Sequence, residues 1–256
     1  MEKQNWTVTV GKILFKYRSY FFVPILLGLI IFTKPQMSFD SKIADVFFDV
    51  FGFILALLGF YVRVLVIGYK KSGTSGRGTN IDVREVVTDG MYQVCRNPLY
   101  LANFLMWLGL TIMWWEIHFS IIIVGFFVAE YFFIIKAEES YLSDKFGKVY
   151  DDYKKSVPAF FPRIKNFPRG VHWDKKPDRP FNWDKVLKNE TNLLLLILAF
   201  PPLFYIYENL RCGLCSSGIA IPLSHSNATA TCILLEVIVL IGWIIIRYNL
   251  HYRENE

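Results

Sequence analysis

The sequence predicts an all-α, polytopic integral membrane protein with about six transmembrane helices and an interfacial helix on its cytoplasmic face. Three observations predict it. The 256 residues are 54% hydrophobic and 17% aromatic, with a mean hydropathy of +0.33, a balance suited to a chain solvated largely by lipid. The apolar residues fall in long runs, and a helix needs about 20 of them to cross a ~30 Å hydrocarbon core. The basic residues, finally, are distributed very unevenly between those runs.

The first apolar stretch runs from Tyr17 to Thr33 and the second from Val46 to Tyr69, the latter interrupted by Asp49 and Arg63. A third begins at Pro98 and ends in Trp114-Trp115. A fourth, Ile117 to Ile135, follows after a very short turn, so the two read as a helical hairpin. The fifth, Thr191 to Tyr207, contains Pro201-Pro202, which remove backbone donors and are expected to kink or end a helix. The sixth spans Thr231 to Ile246. The N-terminal stretch lacks a small-residue cleavage site and is followed by Lys34-Pro35, so it is read as retained rather than as a signal peptide.

Orientation follows from charge, because short Lys/Arg-rich loops stay cytoplasmic. With the N-terminus inside, all of the 28 Lys and Arg residues except Lys34, Lys42, Arg211 and the intramembrane Arg63 fall on one side. An even number of spans with both termini cytoplasmic fits this asymmetry. The net charge of +6 then belongs beside anionic headgroups. It is not the footprint of a nucleic-acid-binding protein, since the basic residues do not share one soluble face. Cysteine is sparse and offers no zinc quartet. Cys212-Gly-Leu-Cys215 is either a disulfide in an oxidising compartment or two idle thiols.

The chain divides into an N-terminal segment with the first span (1–50), a membrane core (51–162), a basic aromatic linker (163–190) and a terminal hairpin (191–256). The loop Ser72-Gly73-Thr74-Ser75-Gly76-Arg77-Gly78-Thr79-Asn80 is too glycine-rich for a helix and is either a flexible linker or a nest of donors for a headgroup or cofactor. Beyond the fourth span, Leu142, Phe146, Val149, Tyr150 and Tyr153 recur at helical spacing among charged residues, which predicts an amphipathic helix lying in the interface. Val157 to Pro162 stops it.

The residues suited to chemistry gather at one rim. Asn97 before Pro98 marks a helix start, because Asn is a good N-cap and Pro fits the first turn. The positive helix end and the Arg96 fork there suit a carboxylate or phosphate, though a snorkelling arginine explains Arg96 alone. From Pro98 to Trp114 is 17 residues and from Ile117 to Glu138 is 22, roughly 25 and 33 Å of helix, so both ends return to one side. Arg96, Tyr92, Tyr100 and Asn103 are thereby expected near Glu138 and Glu139. Arg63, late in the second span, either snorkels or pairs with a glutamate or a substrate phosphate.

Gly-x-Tyr-x-x-x-Arg-Asn-Pro-x-Tyr (Gly90, Tyr92, Arg96, Asn97, Pro98, Tyr100), followed by Glu-Glu-x-x-Leu-x-x-x-Phe-Gly-x-x-Tyr-x-x-Tyr (Glu138 to Tyr153), resembles the isoprenylcysteine carboxyl methyltransferase and phospholipid methyltransferase superfamily. The similarity covers about Phe51 to Pro162. Asn97 stands where many carboxyl methyltransferases have His, and the chain past Arg163 matches no known pattern. Thr74-Ser75-Gly76-Arg77 resembles a bacterial branch that includes lipid A phosphate methyltransferases, which implies a bacterial inner membrane location.

The resemblance implies an S-adenosylmethionine-dependent methyltransferase whose membrane lipid or lipid-like acceptor enters from the bilayer. It implies Arg96, Glu138 and Glu139 as catalytic residues. It further implies Gly90, Tyr92, Arg96, Asn97, Pro98, Tyr100 and Glu138 as cofactor contacts, with no metal. Two other readings stay open from the residues: a membrane reductase of similar hairpin architecture using NADPH, and a non-enzymatic scaffold or transporter.

Overall fold

The computed structural model describes residues 6–18, 24, 27–28, 31–32, 41–69, 85–161, 180–215 and 226–254. The first apolar stretch lies mostly outside these residues, as do the glycine-rich loop and most of the basic linker. The described elements are helical: α1 (Trp6–Tyr17), α2 (Lys42–Tyr69), a short 3-10 turn (Gly90–Gln93), α3 (Pro98–Trp114), α4 (Ile117–Phe146), α5 (Lys148–Ser156), α6 (Trp183–Cys215) and α7 (Ser226–Glu254). Four segments, Ile43–Tyr69, Ser120–Phe146, Trp183–Tyr207 and Thr231–Asn249, are long and apolar enough to cross a membrane, and Pro98–Trp114 is a shorter apolar helix. The predicted second to sixth stretches are thus all helices.

The centre of the molecule is the antiparallel pair α2 and α3. In lipid there is little hydrophobic drive between helices, so close backbone approach supplies the packing energy. Small residues permit it. A β-carbon on Gly52 would lie 2.5 Å from the Gly109 carbonyl oxygen, and one on Gly59 would lie 2.6 Å from that of Ala102. Ala56 and Ala102 are fully buried in the same seam. At the far end, α3 turns into α4 through Trp115, whose φ of +47° is left-handed. Its ring packs 4.3 Å from that of Phe48, a contact that helps hold an unfavourable backbone state. Trp114 meanwhile packs on Phe204 and Tyr207 of α6 at 4.8 and 5.3 Å, closing that end with aromatic rings.

One expectation is narrowed and one corrected. Of the two outcomes expected at Pro201-Pro202, a kink or an end, the end does not occur, since α6 runs through both; in a bundle, neighbours and local adjustments satisfy the carbonyls that prolines leave unpaired. The amphipathic segment is not one helix. α4 continues unbroken to Phe146, the helix is broken at Gly147 (φ +52°), and α5 starts afresh.

α1 was not foreseen, since its 12 residues fall below any run-length criterion. It packs on α4 where Gly11 meets the Phe133 backbone and Ala137, with Phe15 buried beside it. Arg18, just past α1, stacks on the Phe15 ring at 4.0 Å and lies within electrostatic reach of Glu130. The terminal helices are joined by the Trp243 indole, which donates to Asn192 Oδ1 at 2.9 Å. The side chains of Cys212 and Cys215 lie outside the described residues, so neither reading of that pair is tested.

Candidate active site

One end of the bundle gathers the end of α2, the starts of α3 and α6, and the end of α4. Asn182 N–H donates to Gly68 O at 3.0 Å, and the Phe181 ring lies over Gly68 and edge-on to Tyr69 at 5.0 Å. α6 is therefore pinned to α2 at this rim, which also carries the predicted site residues.

Arg96 and the two glutamates meet there, but with a division of labour. Arg96 is nearly buried, with 8% of its side chain exposed, and Glu139 with 7%. Arg96 Nε and Nη2 donate to Glu139 Oε1 at 3.0 and 2.5 Å. Its Nη1 donates to the Lys154 carbonyl at 2.9 Å and also to that of Val157. Lys154 Nζ stands 3.5 Å from Glu139 Oε2. The Arg96 backbone N–H reaches Pro158 O at 2.9 Å, and the Asn97 amide donates to Ala159 O at 2.8 Å. Arg96 and Asn97 thus clamp the segment 154–159 across the start of α3. Asn97 occupies the cap position and Pro98 opens the helix, but the Asn97 side chain makes no cap bond; the side chain is turned so that its amide N–H serves the closing segment.

Glu138 faces elsewhere, because successive residues on a helix point about 100° apart. The Tyr100 hydroxyl hydrogen-bonds Glu138, and the carboxylate acts electrostatically on Tyr92 and Tyr150 as well. Gly90, with φ +56°, opens the turn that presents Tyr92, and Tyr153 O–H donates to Tyr92 O at 2.7 Å. Pro98 is buried at the helix start. The structure therefore brings together Gly90, Tyr92, Arg96, Asn97, Pro98, Tyr100, Glu138 and Glu139.

Sequence reasoning missed the extent of the polar layer beneath them. Arg63 pairs with Glu190 of α6 and donates to Asn103 Oδ1 at 2.5 Å, so of the alternatives left open for Arg63 the carboxylate is the one realised. Asn103 Nδ2 donates in turn to the Tyr131 hydroxyl at 3.0 Å. Glu190 sits at the edge of the basic linker, where an acidic residue carries no family signal.

The tyrosine hydroxyls and the cysteine thiol of the rim keep their protons at neutral pH. Burial raises the Tyr92 hydroxyl above its ordinary value, with Glu138 adding to the effect. Burial likewise raises Tyr150 and Tyr153. It pushes the fully buried Cys95 thiol up to about 12 from 9.0, against a smaller opposing hydrogen bond to the Asn97 backbone. These groups bind their protons more tightly folded than unfolded, so their contribution to stability is intact below the unfolded values and is lost as pH rises through the folded ones. Melting temperatures measured from pH 7 upward are expected to hold level to about pH 9 and then fall, whereas a flat profile through pH 11 would contradict this burial.

Comparison with known proteins bears on this core. Residues 48–149, about two fifths of the chain, match the phospholipid methyltransferase family. This chain resembles that family over its central helices. Over 83 residues, 32% of this chain and 38% of the relative, it is 41% identical to a nickel-cobalt-cadmium resistance protein of Alcaligenes xylosoxydans xylosoxydans. It is 32% identical over 126 residues to protein-S-isoprenylcysteine O-methyltransferase B of Arabidopsis thaliana, 44% of this chain and 59% of that one. A methanethiol S-methyltransferase of Bradyrhizobium diazoefficiens is 28% identical over 116 residues, 45% and 42% of the respective chains. The chain thus spans less than two thirds of the length of each of these relatives. No solved structure matches significantly. The matched segment ends within α5, so α6 and α7 lie outside it.

Proposed function

We propose that the protein is an S-adenosylmethionine-dependent methyltransferase acting on a membrane-embedded lipid or lipid-like acceptor at the cytoplasmic face of a bacterial inner membrane, with both termini cytoplasmic. The observation that carries the reading is Glu138, a half-buried carboxylate held by Tyr100 among buried tyrosines, inside the segment that matches the family. A carboxylate flanked by aromatic faces is suited to a ligand bearing ammonium and sulfonium charge, so the residues present fit the cofactor. The relatives named for methyl transfer to isoprenylcysteine and to methanethiol support the same reaction class and differ in acceptor. The cytoplasmic assignment rests on the basic residues around this rim.

When bound, the cofactor supplies an electrophilic methyl group and leaves as the neutral thioether. The chain's own residues align and desolvate. Tyr92 and Tyr100 supply aromatic side chains and neutral hydroxyls beside Glu138. Glu138 supplies the counter-charge, while Glu139 is committed to Arg96 and keeps the closing segment seated. Arg96 can meet a cofactor carboxylate only by giving up one of these bonds, so its foremost role is to position that segment. An anionic oxygen acceptor needs little more than alignment in a dry site. For an amine acceptor, Glu138 is the group placed to take the proton.

Purified protein incubated with radiolabelled S-adenosylmethionine and a membrane lipid extract is expected to transfer label to the organic phase. Glu138→Gln is expected to lower that transfer on the order of 10²-fold. S-adenosylmethionine, and not NADPH, should raise the melting temperature. Absence of both label and thermal shift would refute the assignment.

A further inference from the structure

The carboxylate that completes the polar layer comes from outside the methyltransferase core. Glu190 is 2% exposed and stands on α6, beyond the matched residues 48–149. Arg63 of α2 grips it with a two-bond fork, Nε to Oε2 at 2.7 Å and Nη2 to Oε1 at 3.0 Å. The remaining end of the same guanidinium donates to Asn103 Oδ1 on α3 at 2.5 Å. That bond fixes which way the Asn103 amide faces, because only its oxygen can accept from Arg63. The amide nitrogen is then left to donate to the Tyr131 hydroxyl on α4, 3.0 Å away. Tyr131 in turn stands edge-on to Tyr100 with ring centroids 4.6 Å apart, and Tyr100 holds Glu138. Four helices are joined by one directional chain that starts on α6 and ends at the proposed cofactor carboxylate partner.

The hydrogen-bonded links, from Glu190 to Tyr131, each have a definite polarity, and a ring contact carries the chain on to Tyr100. A neutral residue at 190 would leave the Arg63 charge without its counter-ion and loosen the fork. Asn103 could then rotate its amide, Tyr131 would lose the donor that makes its oxygen an acceptor, and the seat of Tyr100 would no longer be unique. An ion pair this far removed from water adds little net stability over apolar residues of similar volume, which leaves a directional role for it.

Resting on the methyltransferase reading, we propose that Glu190 is a positioning residue for the transfer site. Acting through Arg63 and Asn103, it orients Tyr131 and seats Tyr100, so that α6 completes a site to which the family core supplies the reacting face. Glu190 does not touch the ligand.

The test uses the full chain in detergent. Arg63→Met/Glu190→Leu removes both charges together and so avoids a stranded one. S-adenosylhomocysteine affinity is read by calorimetry, stability by melting in the absence of ligand, and kcat and KM by label transfer to lipid extract. The double variant is expected to melt close to wild type, to bind S-adenosylhomocysteine more weakly, and to lose kcat on the order of 10²-fold with the acceptor KM little changed. Tyr131→Phe should cost less in that background than in wild type, since coupled residues are not additive. A double variant that melts, binds and turns over like wild type overturns the proposal, and so do losses that simply multiply. Should the double variant fail to fold, Asn103→Leu breaks the same chain with the ion pair intact, and the same outcomes decide. If wild type itself neither binds S-adenosylhomocysteine nor transfers label, the methyltransferase reading has failed first, and the positioning role falls with it.

Discussion

Glu139→Ala is expected to destabilise the protein by about 3–5 kcal/mol, the cost of stranding one member of a buried ion pair. Arg96 would keep its two main-chain acceptors in the closing segment but lose the one carboxylate among its hydrogen-bond partners in the described residues. Lys154, 44% exposed and 3.5 Å from the other carboxylate oxygen, is a second cation and would lose the same partner. Glu138→Ala, one residue away, serves as the control. It removes the Tyr100 partner without stranding a buried cation, so it should melt much closer to wild type while losing cofactor binding. Unfolding curves in mixed micelles would separate the two. A Glu139→Ala protein as stable as wild type would show that the Arg96 clamp does not hold the rim together.

The second large effect is expected at Gly109. Any side chain there pushes into the α2 backbone, where the Gly52 carbonyl and Ala56 leave no space. Overpacking a tight core typically costs about 1–3 kcal/mol, and more where the obstacle is backbone that cannot rotate away. Gly109→Leu should therefore yield little monodisperse protein. Gly125→Leu on the neighbouring α4 is the matched control, because a β-carbon at Gly125 meets nothing within 4 Å. Size-exclusion profiles and melting temperatures of the two variants compare the sites directly. Equal behaviour would mean that α2 and α3 do not approach as closely as described.

Much of this architecture was legible because lipid imposes a simple rule: a crossing segment must satisfy its own backbone, so run length alone marks the helices. That rule failed where length was not the determinant. α1 is held by Gly11 and Phe15 against α4, a contact that twelve residues of mixed polarity do not announce. The prolines of α6 left a kink or an end open, and only the end is ruled out by the continuous helix. At the rim, spacing correctly brought Arg96 back to the paired glutamates. It could not say which of them faces the guanidinium, because that depends on helix rotation by one residue. Glu190 was invisible for a related reason: its meaning lies in Arg63, which is 127 positions away in sequence.

The closing segment has one further consequence. What Arg96 and Asn97 bind in residues 154–159 is carbonyl oxygen, contributed by Lys154, Val157, Pro158 and Ala159 alike. Such oxygens are common to every amino acid. Mutational drift in this stretch can therefore alter its side chains with little penalty, while insertion or deletion of a single residue would put every acceptor out of step with its donor. The segment is specified as a measured length of chain more than as a string of letters.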